Sequence, residues 1–241
     1  VQLKHYDVII IGGGHAGCEA ASASARLQAK TLLITKNISD IGVMSCNPSI
    51  GGVAKGIMVR EIDSLGGVMA KAIDMSGTHF KVLNKSKGPA VHGPRASADR
   101  GLYQRAVQKL LHDQKNLTIL NAAVTDLIIK NNQIVAIEIE SGEIIHAKST
   151  VLTTGTFLNG LIHLGNTKIP AGRKGASPSI KLANSLRAIG FNMGRLKTGT
   201  PPRIDGKSIN YEDLDIQEAD EPPMPFSFLN KGISVPQIIC H

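Results

Sequence analysis

Tryptophan is absent from the 241 residues, and aromatic residues make up only 3% of them. That composition argues against a platform on which bases stack in series. Cysteine is scarce, and Cys18, Cys46 and Cys240 show no paired spacing. This excludes a disulfide framework and fits a reducing compartment. No apolar run is long enough to span a membrane. The run Val8–Ile11 is too short for a signal peptide and leads straight into glycine. The chain therefore reads as a cytoplasmic protein with no membrane partner, or an organellar one if a presequence has been removed.

Charge is plentiful and unevenly placed. The net charge is +8; residues 81–207 hold 19 Lys/Arg against 7 Asp/Glu, and residues 212–221 hold six acids. The basic surplus suits an anionic partner, either a phosphate-rich cofactor or nucleic acid, or else is a solvated basic face. The length supports one good core with a second small lobe. The sequence starts at Val1 and ends at Ile238-Ile239-Cys240-His241, which looks like the opening of a strand. It reads as part of a longer chain.

The organising stretch is Tyr6 to Gly17. Val8–Ile11 is a short β-branched run bounded by glycine, so it reads as a buried strand. Ala16 to Leu27 reads as a helix, and Thr31 to Thr35 as a second strand. Between strand and helix stand Gly12, Gly13, Gly14, His15, Ala16 and Gly17, with glycines at G-x-G-x-x-G spacing. In a dinucleotide site the first glycine makes the turn, the second admits the pyrophosphate, and the third lets helix and strand pack closely. The helix start adds N–H donors and a positive dipole end. The acid expected about 20 residues on for the ribose is missing, and Thr35-Lys36 stands there instead.

Further along, Ser45 to Gly52 combines Asn47-Pro48, a turn starter, with Gly51-Gly52, which would free the backbone to approach a ligand. A thiolate at Cys46 would be favoured by N–H groups from Ser49 to Gly52; the bland reading is a small buried apolar residue. A helix is expected over Val53 to Leu65, closed by Gly66-Gly67, and a long basic loop over residues 76–96. Ser97 to Asp113 reads as a helix capped by Ser97, with Ala98, Leu102, Ala106 and Leu110 on one face. Leu117–Leu120, Val124–Ile129, Ile134–Ile139 and Glu143–Ala147 read as a β-meander, and Thr150–Thr156 as another buried strand. A helix is expected at Ser179 to Ile189, and Pro222-Pro223-Met224-Pro225 marks an irregular linker.

The fold expected is α/β. A Rossmann-like FAD-binding domain with a β-meander covers residues 1–158, and a second mixed α/β lobe begins over residues 159–241. This layout matches that of FAD-binding two-lobed oxidoreductases, by analogy of fold.

Four blocks then carry a closer resemblance. Gly12–Gly17, Ser45–Gly52, Gly88-Pro89-Ala90-Val91 with Arg95 and Asp99-Arg100, and Leu196-Lys197-Thr198-Gly199-Thr200-Pro201-Pro202-Arg203 together resemble the glucose-inhibited division protein A family, tRNA uridine 5-carboxymethylaminomethyl modification enzymes. The resemblance implies an FAD enzyme that modifies the wobble uridine of certain tRNAs. Methylene-tetrahydrofolate would supply the one-carbon unit and NADH would be the reductant. It also implies a homodimer that forms a heterotetramer with a GTPase of the MnmE type. Gly12, Gly13, Gly14, His15, Ala16 and Gly17 would hold the FAD pyrophosphate, Val124 and Ser179 would also contact FAD, and Cys46 matches the family's essential cysteine. No metal is implied. A second essential cysteine and the NADH, tRNA and partner regions would lie beyond residue 241.

Three other readings are open: a folate- and FAD-dependent tRNA uridine methyltransferase, a flavin disulfide reductase, and a non-catalytic RNA-binding flavoprotein. The reductase needs two neighbouring cysteines, and Cys18 lies 28 positions from Cys46.

Overall fold

The structure is a computed structural model that describes residues 4–199 and 201–241; Thr200 of the fourth block lies outside the described residues. The elements in chain order are β1 (His5–Ile11), α1 (His15–Arg26), β2 (Thr31–Thr35), β3 (Ser49–Gly51), α2 (Lys55–Ser64), α3 (Met69–Asp74), β4 (Gly77–Leu83), β5 (Gly93–Ala98), α4 (Arg100–His112), β6 (Leu117–Asn121), β7 (Val124–Lys130), β8 (Gln133–Ile139), β9 (Ile144–Leu152), β10 (Leu161–Leu164), β11 (Thr167–Pro170) and α5 (Ile180–Ala188). They form two compact units, Val1–Gly42 with Leu111–Arg195, and Val43–Leu110 with Leu196–His241. A single cut near 158 does not follow this division.

The first unit is built on a six-stranded sheet in the order β6-β2-β1-β9-β8-β7. β1 pairs in parallel with β2 and with β9, and β2 pairs in parallel with β6. The α/β, Rossmann-like expectation holds. Three details differ. Leu117–Asn121 is the parallel edge strand rather than a member of the meander, which is β7-β8-β9. The two runs read at 143–147 and 150–156 are one strand, β9, because its start pairs with β8 while His146 to Leu152 pair with β1. Its end is not buried: Val151 and Leu152 are 36% and 37% exposed.

Ile9, Ile11, Leu32 and Ile34 form one core cluster with Val124, Leu127, Ile137, Ile145, Leu182 and Leu186. The last two belong to α5, which packs on β7. Burying that apolar stripe is what keeps residues 159–195 in the first unit instead of opening a second lobe. The glycine-punctuated texture beyond 158 marks a two-stranded hairpin, β10-β11, not a change of core.

The second unit holds a three-stranded antiparallel sheet, β3-β5-β4. Here the long loop expected over residues 76–96 proves to contain two strands. Their pattern is hidden by polar residues that the fold buries: His79 is 6% exposed, and its Nδ1 meets the Ile238 carbonyl at 2.9 Å. The helix expected from Ser97 starts later. Ser97 belongs to β5, and Asp99 is the residue that caps α4, its Oδ1 accepting from the Leu102 N–H at 2.7 Å. The buried stripe of α4 is Tyr103, Ala106, Val107 and Leu111, whereas Leu102 is 38% exposed. Gly66-Gly67 closes α2 as expected, with Gly66 at φ +90° and the Gly67 N–H on the Ile62 carbonyl.

The irregular stretch after Pro222 is pinned by two buried carboxylates. Asp74 accepts from the N–H groups of Phe226 and Ser227 at 2.8 and 2.9 Å and from Asn230 Nδ2 at 2.8 Å. Asp63 accepts from Ser227 Oγ and the Phe228 N–H, both at 2.8 Å. Burial pushes the Asp74 carboxyl above its usual range, while its three donors pull the other way. Phe226 is thereby seated with no exposed surface. Asp74→Ala strands these donors, so the urea midpoint should fall by an amount worth about 3 kcal/mol with an unchanged slope.

Candidate functional site

The glycine turn lies between the ends of β1, β2 and β9. The Gly12 N–H bonds to the Ile34 carbonyl at 2.8 Å. From the other side, the Thr153 N–H donates to the Ile11 carbonyl at 2.9 Å, and Thr153 Oγ1 lies 3.0 Å from both the Ile11 and Gly12 carbonyls. Gly12 has φ +110°, and a Cβ there would overlap the Thr153 carbonyl. A Cβ on Gly17 would overlap the Gly12 carbonyl oxygen. One on Gly13 would sit 2.9 Å from Thr35 Oγ1. Gly14 differs: it is exposed, its φ is −74°, and a Cβ would meet nothing within 4 Å.

Gly12 and Gly17 are thus required by the protein's own packing, while Gly14 leaves space for something else. Gly14 is also the N-cap of α1, no side chain caps the helix there, and its first turn holds no acid. The arrangement suits an anion at the helix start. Cys18, one turn in, is 2% exposed, and burial pushes its thiol up to about 12.

The other first-unit residues implied by resemblance are drawn toward the end of β2. The Ala122 N–H, two residues before Val124, bonds to the Thr35 carbonyl at 3.0 Å. Val124 itself is a core residue, 7% exposed. Lys36 Nζ donates to the carbonyls of Ser177 and Pro178 at 3.0 and 2.9 Å and lies 5.6 Å from the Phe157 ring centre. Burial pushes its ammonium below the usual lysine range. Ser179 follows directly as the N-cap of α5, its N–H on the Phe157 carbonyl at 2.7 Å. Lys36, which stands where an acid was expected, is therefore a strut for the Ser177–Ser179 segment. Sequence reasoning missed that role, because the carbonyls it grips lie about 140 positions away.

Cys46 belongs to the second unit, and the glycine turn to the first. Within the second unit three of the four blocks meet. Arg203 Nη2 donates to the Cys46 carbonyl at 2.9 Å. β3 joins the Ser45–Gly52 block to β5, with Gly51 opposite Arg95 in the register. A Cβ on Gly51 would overlap the Pro94 carbonyl, so that glycine serves close backbone packing rather than approach to a ligand. The N–H groups of Ser49 and Gly52 are used within the fold, by Asn47 Oδ1 at 3.2 Å and the Pro94 carbonyl at 2.9 Å. They are not donors to a Cys46 thiolate. Cys46 is exposed, and all three cysteines are free thiols.

This predicts a clear order of thiol reactivity. With a thiol-exchange reagent at about pH 8, Cys46 should label fastest and Cys18 only after unfolding. Peptide mass mapping of the labelled native chain checks it.

A family model described as "Glucose inhibited division protein A" matches residues 7–241. The tRNA uridine 5-carboxymethylaminomethyl modification enzyme MnmG of Granulibacter bethesdensis is 55% identical over 238 residues, covering 98% of this chain and 38% of that protein. The solved structure of Aquifex aeolicus GidA is 46% identical with a TM-score of 0.93, covering 98% of this chain and 40% of that one. The GidA-related protein of Thermus thermophilus is 20% identical with a TM-score of 0.58, covering 78% of this chain and 69% of that one, a likeness of fold alone. The chain spans about two fifths of the length of the first two.

Proposed function

As the chain belongs to the glucose-inhibited division protein A family, we propose that it is the FAD-binding part of an enzyme that adds a carboxymethylaminomethyl group to C5 of a wobble uridine in tRNA. The observation that carries the cofactor reading is the contrast within the glycine turn. Gly12, Gly13 and Gly17 are closed in by the protein's own atoms, and Gly14 at the helix start faces open space.

FAD fits this cradle. Gly12 to Gly17 would hold the pyrophosphate against the start of α1, where no acid side chain opposes it. Lys36 would hold the Ser177–Ser179 segment in place, and Ser179 and the backbone near Val124 would meet the cofactor in the absence of a ribose-binding acid. Bound FAD supplies a two-electron redox centre; NADH and a folate one-carbon donor are its proposed co-substrates. Cys46, on an exposed turn whose carbonyl Arg203 holds, is the proposed thiol that acts on the uracil ring or on the transferred group. A GTPase of the MnmE type and a second copy of the chain are the proposed partners, and the cytoplasm the proposed location. Among the described residues no helix is long and apolar enough to cross a membrane.

The methyltransferase reading shares the cradle, but the 55% identity to a carboxymethylaminomethyl enzyme favours the latter. Cys18, buried in α1 with its thiol held protonated, offers nothing to a disulfide reductase.

Gly14→Ala should leave the melting temperature unchanged and weaken FAD binding by about tenfold or more, a loss of at least ~1.4 kcal/mol. Titration of the apoprotein by flavin fluorescence checks it, and unaltered FAD affinity would remove the pyrophosphate from this turn. Made in a chain that includes the regions beyond residue 241, Cys46→Ser should retain FAD and tRNA but lose modification, read by nucleoside analysis of the tRNA. Full activity in that variant would end the catalytic role of Cys46.

A further inference from the structure

Cys46 stands on a turn held at both ends. Met44 before it is buried, and the Pro48 carbonyl after it accepts from the Ala98 N–H at 2.7 Å. Ser45, Cys46 and Asn47 between these anchors are exposed. The Asn47 side chain closes the turn on the Ser49 N–H at 3.2 Å and does not reach back to Cys46. Among the described residues the Cys46 backbone has one hydrogen-bond partner, Arg203, whose Nη2 donates to its carbonyl at 2.9 Å. The backbone is soft only at φ and ψ. A donor on that carbonyl therefore fixes the peptide plane that follows Cys46 and narrows the directions its Cβ can take.

The chain on either side of Arg203 is stiff. Pro201 and Pro202 lock two successive φ angles at about −65°, and Pro202 disfavours a helical conformation at Pro201. On the other side Asp205 caps a single turn of 3-10 helix, Gly206–Ser208, by accepting from the Lys207 N–H at 3.1 Å. Among the described residues of 196–204, the bond to Cys46 is the one hydrogen bond made. Arg203 is thus no member of a structural network, and the second unit rests instead on the buried Asp63 and Asp74. Arg203 and Cys46 are both exposed, so water competes for their contact. The bond governs how often the turn holds one arrangement, not whether the protein folds.

Resting on the reading of Cys46 given above, we infer that Arg203 is a positioning residue for the Cys46 thiol. Its hydrogen bond to the Cys46 carbonyl holds the exposed turn in the arrangement from which the thiol reacts. A guanidinium suits the task, because it stays charged at every working pH and its donor is always present. The contact acts on the rate of the chemical step and leaves FAD and RNA affinity alone.

The test uses a chain that includes the regions beyond residue 241. Arg203→Met keeps an unbranched stem without donors, and Arg203→Lys keeps a charged donor. Arg203→Met should melt with the parent and keep its FAD affinity and its KM for tRNA, while kcat for modification falls roughly tenfold, the scale of one hydrogen bond from a charged group. Arg203→Lys should recover part of that rate. In the 241-residue chain with Cys240→Ser, a nitroxide on Cys46 should become more mobile when Arg203→Met is added. A parent-like kcat in Arg203→Met, beside an inactive Cys46→Ser, overturns the positioning role and leaves Cys46 in place. A slower rate with unchanged nitroxide mobility, or one that Arg203→Lys does not raise, overturns it as well. A raised KM for tRNA with an unchanged kcat makes Arg203 an RNA contact and overturns it too. Full activity in Cys46→Ser removes the reading of Cys46 and this inference with it.

Discussion

The first unit depends on one close approach of backbone to backbone. The carbonyl of Gly12 occupies the space where a side chain on Gly17 would begin, and the carbonyl of Thr153 occupies the space where one on Gly12 would begin. β1, α1 and the end of β9 can meet at that distance only because both positions lack a Cβ. The Thr153 hydroxyl completes the junction by facing the carbonyls of Ile11, the last residue of β1, and of Gly12. Everything proposed for the cofactor follows from this junction, since it sets the start of α1 at the C-terminal edge of a parallel sheet, where doubly wound folds bind ligands.

The second unit is held by a different kind of interaction. It has little regular structure after Leu196, so buried carboxylates take the part that helix and sheet ladders play elsewhere. Asp63 and Asp74 accept from five donors on Phe226 to Asn230. A buried charge is tolerable only when so satisfied, and here it converts an irregular segment into a wall of the fold. The Cys46 turn has the same logic on a smaller scale: an Asn47 turn, a three-residue strand and the Arg203 guanidinium hold its backbone, while the thiol stays exposed.

Parts of both units were legible from local signals. The βαβ start, the Gly66-Gly67 stop of α2 and the helix at Ser179 each rest on residue patterns within short segments, which short-range chemistry encodes. The hairpin at 77–98 was not legible, because His79, Lys81 and Arg95 mask its alternation until the Ile238 carbonyl satisfies the imidazole. Ser97 looked like a cap and Asp99 proved to be one, a difference decided by β5 claiming Ser97. The division near 158 failed because a change of texture is not a change of core: Leu182 and Leu186 return α5 to the first sheet.

By itself, then, the sequence determined the glycine turn, the Rossmann-like class and, through its four blocks, the family. These are properties of spacing and residue type that survive without knowledge of what touches what. Only the tertiary structure decided that Lys36 braces the segment before Ser179, that Arg203 holds the Cys46 carbonyl, and that Arg95 lies opposite Gly51 of the Cys46 block. Those facts depend on pairings across about 40 to 160 positions. Hydrogen-bond and steric partners at such separations are fixed by how the sheets and the buried carboxylates fold the chain back on itself, and no local pattern records them.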